Sequence, residues 1–476
     1  MARPQPPASP APMTPPPIDY NVLLVVLDDV GVEWFAPYAI GDRFTTDPNF
    51  QYIRTPTISR LQATGLMFQE AYTNPICGAT RACIHTGQYA LRTGFGENLR
   101  DPDSNGPLGL RLSDSLPWLP RAIHTGRPGV YQTAMFGKWH LSDAYNSVTS
   151  YPFPPPNTNL DHAVAVGYDH SAIHFPNYGG SYSWYKVVNG AVQPPTGYVA
   201  PPYDTTNWSA SVHVADALAW INTRTQPWFV NVAFNAPHAP FTVPPFSLLS
   251  PATIAELNAA NLTPGMTVPS TSSYFGTQLV WRAAMESVDT CIGQLLAGIP
   301  QAQLDKTMVI VSGDNGTVVN ALPPGFLHSK REVYRGGSQV PLIVNGPLVV
   351  QPGRKPNDVA HSVDLYATIL DIVRARPPAT VEDLDGVSFL PVIQNQPGKR
   401  KRLFTEVLKP WGVTNPTQWT IVQRAIFDGR WRYVVRQGVP ELYDDHNDFL
   451  EANNVLAANP DVGARLKREL DEMVGS

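Results

Sequence analysis

Two acidic pairs, Asp28-Asp29 and Asp314-Asn315, come directly after apolar runs that indicate buried strands. Three carboxylates and an amide carbonyl together make a hard oxygen site of the kind that suits Ca²⁺ or Mg²⁺. So many acids in one buried crevice would repel one another, and a divalent cation removes that cost. Each pair alone is equally consistent with capping a helix or a turn, whereas the two pairs together favour a cation site.

Basic side chains follow two other apolar runs, as Lys138-Trp139-His140 and as Pro237-His238. In open α/β sheets, ligands bind outside the carboxyl ends of the strands, so four strand ends would bring their side chains to one edge. Taken singly, a lysine is most often a surface residue and a histidine a hydrogen-bonded structural one. The position at strand ends favours a functional role for these residues.

Cys77 precedes a predicted helix that carries Arg81. A helix N-terminus and a nearby guanidinium both favour an anion at Cys77. Taken alone, the residue is better explained as a small buried core thiol, which is the usual environment of a free cysteine. The other two cysteines, Cys83 and Cys291, are assigned to the core.

Apolar runs alternate with helical patterns along the first three quarters of the chain. This alternation predicts an α/β fold, with a large, mainly parallel sheet sandwiched by helices. The predicted strands lie in 21–29, 132–140, 228–238, 308–316 and 341–347, and the predicted helices in 210–223, 277–299 and 359–373.

The character of the chain changes after about residue 376. Two alternating strands within 419–437 flank Asp428-Gly429, which predicts a hairpin with a type I′ turn. A helix near 461–474 follows, with Val462, Leu466, Leu470 and Met473 on one face. We therefore expect a Pro-rich tail (1–17), a catalytic domain (18–375) and a smaller C-terminal α+β subdomain (376–476) with a short antiparallel sheet and a closing helix.

Composition excludes several classes of protein. The 476 residues include 34 basic and 39 acidic ones, for a formal net charge of −5, and no block of five basic residues occurs. Nucleic acid and membrane surfaces are therefore not expected partners. Three cysteines make neither a disulfide framework nor a zinc ribbon. Without an apolar N-terminal segment or a long apolar run, we expect a cytoplasmic protein with no signal peptide or transmembrane segment.

The segment 74–94 contains C-x-x-x-R-x-x-x-x-T-G, formed by Cys77, Arg81, Thr86 and Gly87. This pattern resembles the signature of the type I, formylglycine-dependent sulfatases of the alkaline phosphatase superfamily. The resemblance covers nearly the whole chain, because further segments are similar to landmarks of the family in the same order. These are LLVVLDDVG (23–31), GKWH (137–140), NAPHAP (235–240), GDNG (313–316), KREVYRGGSQVPLIV (330–344), HSVDLYATIL (361–370) and ELYDDHNDFLEANNVL (441–456).

The resemblance implies an alkaline-phosphatase-like fold and hydrolysis of a small-molecule sulfate ester, aryl or sugar. It implies that a maturation enzyme oxidises Cys77 to formylglycine, whose hydrate attacks sulfur with one hydroxyl and expels sulfate when the second loses its proton. It also implies one divalent cation, most typically Ca²⁺ with Mg²⁺ as the alternative. The implied ligands of the cation are Asp28, Asp29, Asp314, Asn315 and residue 77.

The other implied roles belong to basic residues. Arg81 would hold the formylglycine, Lys138 would bridge it to the sulfate, and His140 would assist removal of a proton from the diol. His238 and Lys330 would bind the sulfate and help to protonate the leaving oxygen. Three more histidines, His170, His174 and His328, have no such support and are expected to be structural. The aromatic segment 168–190 is an equal candidate for a substrate pocket and for a self-packed loop.

The chain departs from the family pattern at Ala79 and Thr80, where the family commonly has Pro and Ser, and at Arg335 and Gln339. Two alternatives stay open on the residues. A phosphonate monoester or phosphodiester hydrolase of the same superfamily would use the same nucleophile and similar ligands. A non-catalytic sulfatase-like protein would result if Cys77 stays a thiol. The oligomeric state is not indicated.

Overall fold

The structure is a computed structural model that describes residues 18–38, 50–98, 111–142, 159–175, 180–182, 184–193, 203–269, 274–376, 384–410 and 414–475. The predicted Pro-rich tail (1–17) lies outside these residues, and the domain boundaries stay predictions. Within the described part of the chain, no helix combines the length and the apolar character needed to cross a bilayer.

The strands and helices follow the predicted alternation. In chain order the strands are β1 (Asn21–Leu27), β2 (Leu66–Phe68), β3 (Glu70–Tyr72), β4 (Gln132–Lys138), β5 (His170–Phe175), β6 (Tyr185–Val188), β7 (Ala191–Val192), β8 (Trp228–Ala233), β9 (Phe241–Thr242), β10 (Thr267–Val268), β11 (Thr307–Gly313), β12 (Leu342–Asn345), β13 (Val359–His361), β14 (Leu403–Lys409), β15 (Ile421–Phe427), β16 (Trp431–Arg436) and β17 (Val439–Asp444). The helices are α1 (Pro56–Ala63), α2 (Cys77–Thr86), α3 (Ala90–Thr93), α4 (Leu119–Gly126), α5 (His162–Ala165), α6 (Ser209–Ile221), α7 (Pro251–Ala259), α8 (Tyr274–Gly298), α9 (Gln301–Leu304), α10 (Arg335–Ser338), α11 (Asp364–Val373), α12 (Leu390–Ile393) and α13 (Pro460–Gly475).

The main sheet has the strand order β2-β12-β11-β1-β8-β4-β5-β6-β7 among the described residues. The central strands β11, β1, β8, β4 and β5 are parallel, and the pairings β11–β12, β12–β2, β5–β6 and β6–β7 at the two edges are antiparallel. The predicted strand 341–347 therefore forms, as β12, but runs antiparallel to β11. The connection 314–341 contains only the 3-10 helix Val319–Ala321 and the four-residue α10, and so lacks the longer helix that usually carries a parallel crossover over a face of the sheet.

The central strand β1 shows why the sheet is covered on both faces. Leu23, Val25 and Leu27 belong to one core cluster, whereas Val22 and Leu24 belong to the other. Helices α6 and α8 pack together on the first face, and α2, α4 and α11 pack together on the second. Because both faces are buried, the strand is a continuous apolar run that opens at its C-terminal end onto polar residues.

The C-terminal part folds as predicted, with one local difference. Strands β14 to β17 form an antiparallel sheet, and α13 packs on it through Leu466 and Leu470. The hairpin forms, but its turn is not type I′, because Gly429 has a positive φ of 100° and Asp428 does not. Instead, the Asp428 carboxylate accepts hydrogen bonds from the backbone N–H groups of Arg430 and Trp431. The predicted helix 359–373 begins only at Asp364, because its first residues pair with β3 as β13.

Candidate active site

The acidic pairs meet because β1 and β11 are neighbours in parallel register and end at the same level. The backbone N–H of Asp29 donates to Asp314 Oδ1 at 3.1 Å, and Asn315 Nδ2 donates to Asp29 Oδ1 at 2.8 Å. All four side chains of the two pairs are buried. Asp29 has a φ of 60°, a left-handed conformation that costs a non-glycine residue about 1–3 kcal/mol. The local fold therefore accepts strain to turn these oxygens toward one another.

Three buried oxygens of this cluster have no hydrogen-bond partner among the described residues: Asp28 Oδ1, Asp29 Oδ2 and Asn315 Oδ1. A buried polar atom without a partner is costly, and native proteins generally satisfy such atoms. Ligand atoms of Asp28, Cys77 and Asp314 lie within 4.8 Å of one another. Oxygen donors of this type and number fit a hard divalent cation.

Cys77 is the first residue of α2, and Arg81 lies one turn later on the same helix. The helix ends at Gly87, whose φ of 69° is the left-handed conformation that favours glycine at this position. Arg81 donates through Nε and Nη2 to Asp314 Oδ2, at 3.0 and 2.7 Å, and through Nη1 to the carbonyl of Lys138 at 2.7 Å. The guanidinium thus connects the helix to two of the strand ends.

The Cys77 thiol is fully buried among polar groups. Its Sγ lies 3.2 Å from His140 Nδ1, 3.9 Å from Lys138 Nζ and 3.5 Å from Asn98 Oδ1. Burial raises the pKa of the thiol, and the charge of Lys138 opposes this only in part. Cys77 is therefore held as a neutral thiol. Asn98, which also accepts from the Gly78 N–H, belongs to the site although no sequence pattern singled it out.

Two lysines, the buried Lys138 and the partly buried Lys330, pair with the first acidic pair. Lys138 Nζ lies 2.5 Å from Asp28 Oδ2, and Lys330 Nζ lies 2.5 Å from Asp29 Oδ1. Burial alone would raise the pKa of Asp29, but the charges of Lys330 and Lys138 outweigh it and hold that pKa below its usual range. Burial alone would lower the pKa of Lys330, but the charge of Asp29 outweighs burial and raises it. Asp29 and Lys330 are therefore both charged.

The two site histidines are neutral. Burial and the charges of Lys138 and Arg81 hold the pKa of His140 well below its ordinary value. Burial and the charge of Lys138 lower the pKa of His238 to about 3, although Asp29 partly opposes them. His238 Nδ1 lies 2.6 Å from the carbonyl oxygen of Ala239, which directs Nε2 toward Asp29 Oδ2 at 3.7 Å.

The backbone of His140 is also left-handed, with a φ of 58°. Trp139 precedes it and is anchored by its indole N–H, which donates to His162 Nδ1 at 3.1 Å. Aromatic rings surround this indole at centroid distances of 5.0 to 6.0 Å: His85, Trp118, His162 and Tyr168. Such strain persists only where the surroundings fix the backbone, so this cage positions His140 beside Cys77. No sequence pattern indicated a role for these four rings.

The residues expected to be structural are buried away from the cluster or packed in ring contacts. His174 stacks on Trp184 at 4.7 Å, and His328 stacks on Tyr334 at 3.7 Å. His170 lies 5.7 Å from the Phe136 ring. The thiols of Cys83 and Cys291 are buried, as expected. The described parts of the segment 168–190 form β5 and β6 at the edge of the sheet, and residues 176–179 and 183 lie outside the described residues.

Arg335 and Gln339, two of the residues that differ from the family pattern, form a hydrogen bond with each other. Arg335 Nη1 donates to Gln339 Oε1 at 2.8 Å, and Nη2 donates to Asp445 Oδ2 at 2.7 Å in the C-terminal sheet region. Next to them, a Cβ at Gly316 would lie 1.9 Å from the Gly336 carbonyl oxygen. The glycine after Asn315 is therefore required by close backbone packing against α10.

The sheet, with its polar cluster at the carboxyl ends of parallel strands, is that of an alkaline-phosphatase-like hydrolase. The family model "Sulfatase" matches residues 20–375, and the model "N-sulphoglucosamine sulphohydrolase, C-terminal" matches residues 325–475. The chain belongs to the sulfatase family, and its activity is that of a sulfuric ester hydrolase.

Individual relatives are distant but cover most of the chain. Arylsulfatase K of Bos taurus is 24% identical over 496 residues, covering 95% of this chain and 81% of the relative. A sulfatase of Formosa agariphila is 25% identical, with 92% and 85% covered. A solved structure of a protein with its substrate D-glucosamine-2-N,6-O-disulfate superposes with a TM-score of 0.69 at 19% identity, covering 96% of this chain and 97% of that one. This last likeness supports the fold.

Proposed function

We propose that this protein hydrolyses sulfate esters through a formylglycine formed from Cys77 and with the help of one divalent cation. The observation that carries the proposal is the convergence of the Cys77 side chain with the oxygen cluster, since ligand atoms of Asp28, Cys77 and Asp314 lie within 4.8 Å of one another. These three residues come from distant parts of the chain, and the fold gathers them at one sheet edge.

The residues that would hold the cation are Asp28, Asp29, Asp314, Asn315 and the modified residue 77. The unpartnered oxygens of the cluster support this assignment, because a cation would satisfy them. A divalent cation bound there would supply Lewis acidity toward the nucleophile and a sulfate oxygen. Because the donors are oxygen atoms, Ca²⁺ is the first candidate and Mg²⁺ the second.

The raised pKa of Cys77 argues against the thiol as nucleophile, since the thiolate is the reactive form. A formylglycine hydrate supplies two geminal hydroxyls, one for attack on sulfur and one whose deprotonation releases the sulfate. His140 would take that proton, and this role is supported by its neutral ring and by the 3.2 Å between its Nδ1 and Cys77 Sγ. Arg81 orients the start of α2 through its bonds to Asp314 and Lys138.

Three cationic or protonatable groups would face the sulfate. Lys138 lies between the nucleophile and Asp28, and Lys330 is charged beside Asp29. His238 is neutral before substrate binds. A sulfate placed beside it would counter the charges of the lysines and raise its pKa, so that Nε2 could give a proton to the leaving oxygen. Lys330 would stabilise the charge on the sulfate.

The substrate is proposed to be a sulfate ester of an aryl alcohol or a sugar. Sugars are supported by the solved structures, because one similar protein contains its substrate D-glucosamine-2-N,6-O-disulfate and another contains k-i-k-neocarrahexaose.

The test combines mass spectrometry with kinetics. Peptides that span Cys77 should show the mass of an aldehyde in place of a thiol, and the protein should prefer an aryl sulfate to a phosphodiester and a phosphonate monoester. Cys77→Ala should abolish turnover, whereas Cys291→Ala, at another buried thiol, should retain it. A purely thiol peptide would favour the non-catalytic alternative. Faster turnover of either phosphorus ester would favour the phosphoryl hydrolase.

A further inference from the structure

Three charged side chains lie together beside the candidate active site: Glu97, Arg331 and Lys409, here called the rim cluster. Glu97 is buried, and its carboxylate lies 3.2 Å from Lys409 Nζ and 3.8 Å from Arg331 Nη2. The Arg331 side chain is 50% exposed, whereas that of Lys409 is 10% exposed. The cluster thus presents an arginine to solvent over a buried ion pair.

Two connections tie the rim cluster to the nucleophile. Asn98, which follows Glu97, lies 3.5 Å from Cys77 Sγ through Oδ1, and its N–H donates to Glu97 Oε1 at 2.9 Å. On the other side, Arg331 directly follows Lys330, and its N–H donates to the carbonyl of Pro75 at 2.8 Å. Arg331 is therefore anchored between a proposed sulfate-binding lysine and the segment that leads into α2.

The backbone of Arg331 has a φ of 78°. This left-handed conformation is unfavourable for a residue with a Cβ and persists where surrounding contacts fix it. Its bond to Pro75 is one such contact. The side chain consequently leaves the backbone from a fixed position at the edge of the site.

The described ion pairs of the site and its rim join five basic side chains to four carboxylates. The basic side chains are Arg81, Lys138, Lys330, Arg331 and Lys409, and the carboxylates are those of Asp28, Asp29, Asp314 and Glu97. The proposed divalent cation would widen this excess. A simple sulfate monoester brings only a single negative charge, so the electrostatics suit a substrate with more than one.

We propose that the rim cluster binds a second anionic group of the substrate, a carboxylate or another sulfate carried near the scissile ester. This inference rests on the proposed sulfate ester hydrolysis and deepens it by naming a substrate class. Arg331 would contact the second anion, because its planar guanidinium suits oxyanions and its side chain reaches solvent. Glu97, itself paired with Lys409, would hold the guanidinium in position through its ion pair with Arg331.

The experiment compares phenyl sulfate, meta-carboxyphenyl sulfate and resorcinol disulfate as substrates of the full-length, aldehyde-bearing protein. We expect kcat/KM to be higher for the two doubly charged esters. In Arg331→Met, the ratio of their kcat/KM to that of phenyl sulfate should fall about tenfold, as the loss of one charge-assisted contact implies. Arg331→Lys should keep part of the preference, and added salt should reduce it in the parent protein.

Arg60→Met is the matched control, because Arg60 is an exposed arginine on α1 and should leave the ratio unchanged. A preference for only one of the two esters identifies the anion and supports the proposal. The proposal fails if the parent protein hydrolyses phenyl sulfate without any preference, or if Arg331→Met keeps the parent ratio. Failure to hydrolyse all three esters would instead remove the proposed function, and this inference with it.

Discussion

The Arg81–Asp314 pair gives the sharpest test of how the site is built. Arg81 is buried and makes three N–H bonds, two to Asp314 Oδ2 and one to the Lys138 carbonyl. Arg81→Met removes all three and leaves a buried carboxylate without its cation. Removing one partner of a buried ion pair costs about 3–5 kcal/mol. We expect a loss of that size in the free energy of unfolding when divalent cations are absent.

The cation should reduce this loss. If Asp314 is a ligand, a bound cation compensates its charge in the variant, so Arg81→Met should cost less in Ca²⁺ than in a chelator. Guanidinium chloride denaturation at pH 8 in both conditions measures the difference. That pH keeps Asp314 ionised in the parent protein, because burial and the nearby Asp28 raise its pKa to about 6. The cost of Arg81→Met in chelator should exceed its cost in Ca²⁺ by more than about 0.5 kcal/mol, which is the usual error when mutational free energies are added.

Arg432 offers a matched control. It is equally buried and lies 2.6 Å from Glu451 and 3.2 Å from Asp445, in the C-terminal sheet region. Arg432→Met should therefore be costly to the same degree with and without Ca²⁺. The reasoning is refuted if Arg81→Met costs under about 1 kcal/mol in chelator, or if its cost, like that of Arg432→Met, does not respond to the cation.

Three further changes test other parts of the structure. Trp139→Phe keeps an aromatic ring but removes the indole N–H that donates to His162. The free energy of unfolding, measured by denaturation, should fall by about 1–3 kcal/mol, and steady-state kinetics should show a larger change in kcat than in KM. Burial raises the pKa of Glu406 to about 7, so the folded state retains a proton that the unfolded chain loses near pH 4.5, and stability should fall as pH rises between these values. Glu406→Gln should remove that part of the pH dependence in denaturation series. Asp289→Asn replaces an acceptor of two N–H groups at the start of α1 and should cost about 1–3 kcal/mol in the same assay.

The central strands and the strand-end residues were predictable from the sequence. Strands buried on both faces are continuous apolar runs, and polar residues such as Asp28 and Asp314 directly follow them. The topology of parallel sheets then brings those ends together. Lys330 could not be predicted in this way, because it does not follow a strand. Only the resemblance to the sulfatases indicated its role.

Other features depend on contacts between distant segments, which periodicity does not reveal. The rings packed around Trp139 come from several separate segments of the chain. Asn98, which contacts Cys77, lies in a loop that carries no hydrophobic periodicity or motif. The reversed direction of β12 is not visible in its composition, which is as apolar as that of a parallel strand. The residues of β13 carry a helical pattern that pairing with β3 overrides.

The pairing of charges in the cluster links the cation to the sulfate. Asp28, Asp29 and Asp314 each have one cationic partner, respectively Lys138, Lys330 and Arg81. Two of these partners are also the proposed sulfate-binding groups, so the same ammonium groups would neutralise the carboxylates and attract the substrate. A cation that neutralises Asp28 and Asp29 would release both lysines for the sulfate. Binding of the two ions is then mutually favourable, and by thermodynamic reciprocity each must strengthen the other to the same extent.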